Sequence, residues 1–232
     1  MEWIRAIQSN NYELVKKLIE EGDNDFIDNR DFTPLMYASK YNRKKICELL
    51  IANNPDINVQ STNGFSALML ASMNGNFEIC KLLIERGADV NDQHHFGKTA
   101  LIFASLKGHK EVCELLIESG ADMNIRKYGQ TALTIASRNG YIEICSLLIK
   151  SGADVNIKNR DGETALMTAS DYKRKEICEL LIDAGADLEV SNKYYKMLYE
   201  KKIKEIAQKL AFNRRKHLVE FYYKDFFFIS IF

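Results

Sequence analysis

The chain has 232 residues, 46% of them hydrophobic, and its 32 Lys or Arg are balanced by 32 Asp or Glu. Zero net charge excludes bulk attraction of the whole chain to nucleic acid or anionic membranes, and no stretch approaches the ~20 apolar residues of a membrane-spanning helix. Glu2 and Arg5 stand where a secretory leader would be basic and then apolar, so a cytoplasmic protein, or a nuclear one, is expected.

From the N-terminus, Trp3, Ala6 and Val15 fall at the spacing that Leu35, Ala38 and Cys47 show one unit later, and Gly22 follows as a helix stop. Residues 1–32 therefore read as a degenerate capping unit with Trp3 in the core and Lys16, Lys17, Glu20 and Glu21 on an outer polar face. Five units follow, 33–65, 66–98, 99–130, 131–163 and 164–192, whose starts at Thr33, Ser66, Thr99, Thr131 and Thr164 are 33, 33, 32 and 33 residues apart. In each, the Thr or Ser is placed to cap a first helix, Pro34 occupies a position where a missing N–H is harmless, and a second helix such as Ile79 to Ile84 is apolar nearly all round. Gly87, Gly120, Gly152 and Gly185 end the second helices, with Asn54 in the same place. Gly75, Gly108 and Gly140 turn the chain between helices; Asn42 and Lys173 replace Gly there, and Lys173 is the expected site of positive-φ strain. Gly64, Gly97, Gly129 and Gly162 mark hairpin tips, and the connections 22–33 and 120–131 are one residue shorter than the others, which should change tip reach without disturbing the helices.

Lys202–Leu210 repeats the pattern of Lys173–Leu181 and defines a shortened terminal cap, 193–211, followed by a basic and aromatic extension, 212–232. The segment from Lys193 to His217 holds nine Lys or Arg against two Glu. Nine of the last twelve residues are apolar, and fold-back of 219–232 onto the terminal cap is the expected way to shield them. Cys47, Cys80, Cys113, Cys145 and Cys178 share one place in the second helix. Stacked helices are ~8–10 Å apart, too far for disulfide or zinc geometry, so all five are expected to be buried reduced thiols.

A period in the thirties identifies a stacked helical array, because so short a unit cannot bury its own apolar face. The sequence resembles the ankyrin repeat family, through Thr33, Pro34, Leu35 and Ala38 and through Gly-Ala-Asp at 87–89, 120–122, 152–154 and 185–187. The family's His is replaced by Met36, Met69, Ile102, Thr134 and Met167, which removes an inter-repeat hydrogen-bond network. The resemblance implies an all-α solenoid of helix-turn-helix units joined by β-hairpin loops, and non-catalytic binding of a protein partner by a monomeric chain.

Chemical motifs are missing: there is no phosphate loop, no paired-histidine metal motif and no nucleophile elbow, so no enzyme activity and no cofactor is implied. His94 and His95 adjoin on a tip and read as exposed contact residues. Asp154, Asn156 and Asp161 faintly resemble a calcium loop, but Lys158 stands at a ligand position. Specificity in such an array belongs on the concave surface of tips and first helices. The residues that vary there are Phe65, Met73 and Asn74 in the third unit. The fourth unit adds Gln93, His95, Phe96, Lys98, Leu106 and Lys107, the fifth Arg126, Tyr128, Arg138 and Asn139, and the sixth Lys158, Arg160, Asp171 and Tyr172. Phe65, Phe96 and Tyr128 fall on successive tips, as aromatic anchors or as residues packing tip against tip. Nucleic-acid or anionic-membrane binding by the basic aromatic C-terminal segment is the alternative.

Overall fold

The computed structural model describes residues 2–22, 26–126 and 130–187. Within them six helix-turn-helix pairs follow one another: α1 (Glu2–Gln8) with α2 (Tyr12–Glu20), α3 (Pro34–Lys40) with α4 (Lys44–Ala52), α5 (Ala67–Met73) with α6 (Phe77–Glu85), α7 (Ala100–Lys107) with α8 (Lys110–Glu118), α9 (Ala132–Asn139) with α10 (Ile142–Lys150), and α11 (Ala165–Asp171) with α12 (Lys175–Asp183). The odd-numbered helices pack directly on one another and form an inner row, while the even-numbered helices approach each other more sparsely in an outer row. Ala38, Ala71, Ala104, Ala136 and Ala169, fully buried in the inner row, permit the closer approach. The expected cap 193–211, the extension 212–232 and the fold-back of 219–232 lie outside the described residues.

Each inner helix of the five units starts on its hydroxyl. The side chains of Thr33, Ser66, Thr99, Thr131 and Thr164 accept from the N–H groups of Met36, Met69, Ile102, Thr134 and Met167 at 3.2–3.3 Å. Outer helices end on a left-handed residue, with Ala88, Ala121, Ala153 and Ala186 donating back to Leu83, Leu116, Leu148 and Leu181. Asn42 and Lys173 hold φ of +57° and +56°, as their positions require.

The residue before each outer helix does something the periodicity does not announce. Arg43, Asn76, His109, Tyr141 and Arg174 make no side-chain cap on their own helix. Four of them reach back to the end of the preceding inner helix, whose last carbonyls have no partner within the helix. Arg43 donates to Ile7 and Gln8 carbonyls, Asn76 to Ser39 at 2.7 Å and Arg174 to Arg138 at 3.3 Å, while a His109 ring nitrogen meets the Met73 carbonyl at 3.2 Å. Asn11 occupies the same place in the first unit and caps its own helix by accepting from Leu14 N–H. The reach-back also explains the turn glycines. A Cβ on Gly75 would lie 2.6 Å from the His109 ring, and one on Gly108 2.8 Å from the Tyr141 ring; Asn42, which keeps its Cβ, precedes the small Asn76 in this row.

A second row of bonds joins the loops. Asn58 Nδ2 donates to the Gly87 carbonyl and Asn58 Oδ1 accepts from Asp89 N–H; Asn91 does the same with Gly120 and Asp122, and Asn156 with Gly185 and Asp187. Asn124 accepts from Asp154 N–H. Asp56, Asp89, Asp122 and Asp154 hold the ladder in shape by accepting from the N–H two residues on. The resemblance of Asp154 and Asn156 to calcium ligands is thereby accounted for, since both oxygens already serve the ladder.

The hairpins are turns rather than strands, and no strand occurs among the described residues. Each described tip closes on one polar residue. Asp28, Ser61, His94 and Asn159 donate backbone N–H to the carbonyl four residues on and accept through their side chains from the N–H of Phe32, Phe65, Lys98 and Glu163. Adjacent tips share single backbone bonds, Thr62 N–H to Arg30 and His95 N–H to Asn63, with the Thr62 hydroxyl also donating to Asp31 at 2.9 Å, too few backbone bonds to build a ladder. His94 is thus not an exposed contact residue: it is 6% exposed, because its ring is the turn-closing acceptor and its faces pack on Phe65, Phe96 and Phe103.

Trp3 is buried against Phe26, and the outer charges of the capping unit pair as Lys16 with Glu20 and Lys17 with Glu21. The five cysteines are fully buried and none is in a disulfide. Burial pushes the Cys47 thiol up to about 12 and those of Cys80, Cys113 and Cys145 up to about 11, against the partial offset of Ser39, Ser72, Ser105 and Ser137 at 3.5–3.9 Å.

Because the thiolate is the reactive form, a thiol reagent at about pH 8 should leave Cys47, Cys80, Cys113 and Cys145 unmodified in the native chain and label all five cysteines after denaturation without reductant. Rapid native labelling, or a missing thiol after denaturation, would show the packing to be wrong.

Burial, with Lys98 and His95 nearby, lowers the His94 pKa from its ordinary 6.5, and its Nδ1 must stay unprotonated to accept from Lys98 N–H. The native state therefore binds fewer protons than the unfolded state, and its stability is complete above about pH 6.5 and is lost as pH falls through the lower native value. Melting temperature should drop between neutral and mildly acidic pH, and His94→Asn, the residue found at 159, should flatten that drop. An equal drop in the variant would remove His94 as the cause.

Candidate functional site

With the helix ends and turn closers engaged within the frame, the residues left on the inner side fall into two rows. One follows the tips, where Gln93, His95, Phe96, Arg126, Lys158 and Arg160 are exposed and Phe65 and Lys98 half-buried. The other follows the C-terminal ends of the inner helices, where Asn74, Lys107, Asp171 and Tyr172 are exposed and Met73, Leu106, Arg138 and Asn139 half-buried. Tyr128 lies outside the described residues. Between the rows the inner helices present little accessible surface, since their bodies from Ala67 to Ser72, Ala100 to Ser105 and Ala132 to Ser137 are buried throughout.

The aromatic anchors are not equivalent. Phe96 precedes its tip glycine and is 64% exposed, whereas Phe65 follows Gly64 and turns inward, 5.2 Å from the His94 ring and 5.4 Å from Phe103. Phe65 belongs mostly to an aromatic cluster that holds two tips together, and Phe96 stands on its rim at 5.6 Å from His94. At the other row the Arg138 guanidinium lies 5.7 Å over the Tyr172 ring, which joins the fifth and sixth units by cation–π attraction and leaves Tyr172 52% exposed. Asn139 is partly committed to the frame, as its amide donates to the Leu106 carbonyl at 3.1 Å. Asn74 donates to Leu70 within its own helix.

The inner surface also extends further toward the N-terminus than the third unit. Lys40 and Tyr41 share the positions of Met73 and Asn74, and there the Lys40 ammonium sits 5.4 Å over the Tyr41 ring, which stacks on Tyr37 at 6.4 Å. Beside them Asp28 accepts from the Tyr37 hydroxyl at 2.6 Å and from an Arg30 guanidinium N–H at 3.3 Å. Burial alone would raise the Asp28 pKa, but the Tyr37 hydroxyl, the Phe32 and Arg30 N–H groups and the Arg30 guanidinium outweigh it and hold the carboxyl down to about 2. The repeat register itself could have found Lys40 and Tyr41; the Asp28 cluster depends on a tip contact that spacing does not reveal.

Among the described residues no three His, Cys, Asp or Glu side chains come together as a metal site, and no helix is long and apolar enough to cross a membrane. The arrangement is a row of exposed aromatic, cationic and amide groups on a rigid frame, suited to contact with another macromolecule. A comparison with curated proteins finds none that matches this chain. The family model for ankyrin repeats, in three copies, matches residues 3–94, 90–159 and 126–192. A match over that span, on a structure built of the same stacked helix pairs, shows that the chain belongs to the ankyrin repeat family, whose repeats generally serve as protein-protein interaction modules.

Proposed function

We propose that the protein is a non-catalytic scaffold or adaptor that holds a partner protein on its inner face, across the tip row and the inner-helix ends. The observation that carries this reading is the division of labour between positions. The invariant places of the repeat are consumed in capping, turn closing and the asparagine ladder. The variable places collect large exposed side chains, Phe96 and Tyr172 among them, on one side of the stack. Aromatic and Arg side chains on a pre-organised surface are the types that dominate binding energy at interfaces, and the frame around them loses little entropy on association.

Recovering a partner from native lysate and comparing its affinity for wild-type protein and for a Phe96→Ala, Tyr172→Ala variant tests the proposal. Each truncation of a hot-spot aromatic typically costs about 2 kcal/mol, so the double variant should bind at least tenfold more weakly while remaining folded, with only the small loss of melting temperature that the Arg138–Tyr172 and His94–Phe96 contacts account for. A variant that binds every recovered partner with full affinity would place the binding surface elsewhere.

A further inference from the structure

Charge is segregated across the stack in a way the balanced total conceals. In the three central units the segments 60–74, 93–107 and 125–139, whose described residues build the inner face, contain no Asp or Glu in sequence and carry Lys98, Lys107, Arg126, Lys127 and Arg138. The outer helices of the same units, α6, α8 and α10, hold six Glu against three Lys. Pairing follows the same division. On the outer side Lys44 meets Glu78 at 2.9 Å and Lys110 meets Glu143 at 3.9 Å. On the inner side no carboxylate among the described residues lies within ion-pair distance of Lys98, Lys107, Arg126 or Arg138. Two of these cations are instead ordered over rings, Lys98 at 5.9 Å from Phe103 and Arg138 at 5.7 Å from Tyr172, which positions the charge without neutralising it.

We propose that the inner face of the three central units takes an extended acidic peptide segment with apolar side chains, its carboxylates meeting Lys98, Lys107, Arg126 and Arg138 and its apolar groups seated beside Phe96. This rests on the reading of the inner face as the partner surface and names the chemistry of that partner. The register follows from two lengths. Stacked helices advance about 10 Å per repeat and a chain in the polyproline II conformation about 3.1 Å per residue with three residues per turn, so carboxylates three residues apart lie on one side of the chain and match successive units. A polypeptide is favoured over a nucleic acid because the cations are interleaved with Met73, Leu106 and Phe96. Aligned phosphates would meet a continuous basic track, and here the third unit contributes no cation to the face at all. At the C-terminal edge Asp161, Glu163 and Asp171 would repel a carboxylate-bearing chain, which sets the end of its path.

The test uses the full chain and a fluorescein-labelled peptide of about nine residues, the length that spans the three central units at three residues each. It carries Glu at every third position with Leu between, and two controls accompany it: the same peptide with Gln for Glu and a single-stranded RNA of similar length. Anisotropy should show binding of the Glu peptide that weakens as salt rises, with little binding of the Gln peptide. Lys107→Glu, Arg126→Glu, both at exposed positions, should lower affinity at least tenfold, while Lys81→Glu, Lys150→Glu on the outer helices changes net charge equally and should leave binding intact. Equal binding of the Gln peptide, no binding of the Glu peptide, or loss that is the same for inner and outer reversals overturns the proposal. So does Glu-peptide binding that survives the inner reversal, which would locate it on the basic C-terminal segment, or RNA bound more tightly than the peptide and lost on the same reversal. If the aromatic variant of the preceding section loses a recovered partner while the Glu peptide fails to bind, the binding face stands and only its acidic preference falls.

Discussion

Each repeat ends its helices on carbonyl groups that draw a donor from a neighbouring repeat, the following one at the inner-helix ends and the preceding one at the outer-helix ends. This constraint fixes the register of the stack more narrowly than the apolar core could. Buried Leu, Ile and Ala side chains would tolerate small slides between units, but the amide of Asn91 must find both the Gly120 carbonyl and the Asp122 N–H. The side chains of Asn76 and Arg174 must likewise reach Ser39 and Arg138. An intramolecular hydrogen bond contributes about 1 kcal/mol net, so the two rows together are a substantial share of the marginal stability of such a chain. They stand in place of the network that Met36, Met69, Ile102, Thr134 and Met167 cannot form.

The same constraint decides what remains for function. Places that meet a neighbour's helix end or close a tip are spent, and Asn139, Phe65 and His94 are drawn into the frame by Leu106, Phe103 and Lys98. What the frame does not use is displayed on the inner side, where the small buried alanines bring successive units close and let side chains from neighbouring repeats act on one ligand. Exposed aromatics then lie side by side with the cations Lys98, Lys107, Arg126 and Arg138.

Most of the architecture was legible because it is periodic. Thr33, Ser66, Thr99, Thr131 and Thr164 announce their helices, Gly87 and its equivalents end them, and the common phase of the cysteines is enough to bury them as thiols. Contacts between repeats were less legible, because the row Arg43, Asn76, His109, Tyr141 and Arg174 has no shared residue type. These side chains are related only by reach, and a scan for repeated letters passes over them. The tips misled for a similar reason. Phe65 and Phe96 both sit beside a tip glycine, but on opposite sides of it, and one step along a turn reverses the direction of a side chain. Loop position alone would put His94 in solvent, yet its Nδ1 is the acceptor the turn needs.

The asparagine ladder gives the most direct access to the claim that neighbouring repeats complete one another. Native-state amide exchange would be compared between the wild-type chain and Asn91→Ala, at the Asp122 N–H that Asn91 holds and at the buried amides of α5 to α10. If the bridge couples the third and fourth units, protection should fall at Asp122 and, by about 1 kcal/mol or more, across the helices on both sides. A change confined to Asp122, with the helices of both units exchanging as before, would show that the apolar core alone holds the stack in register.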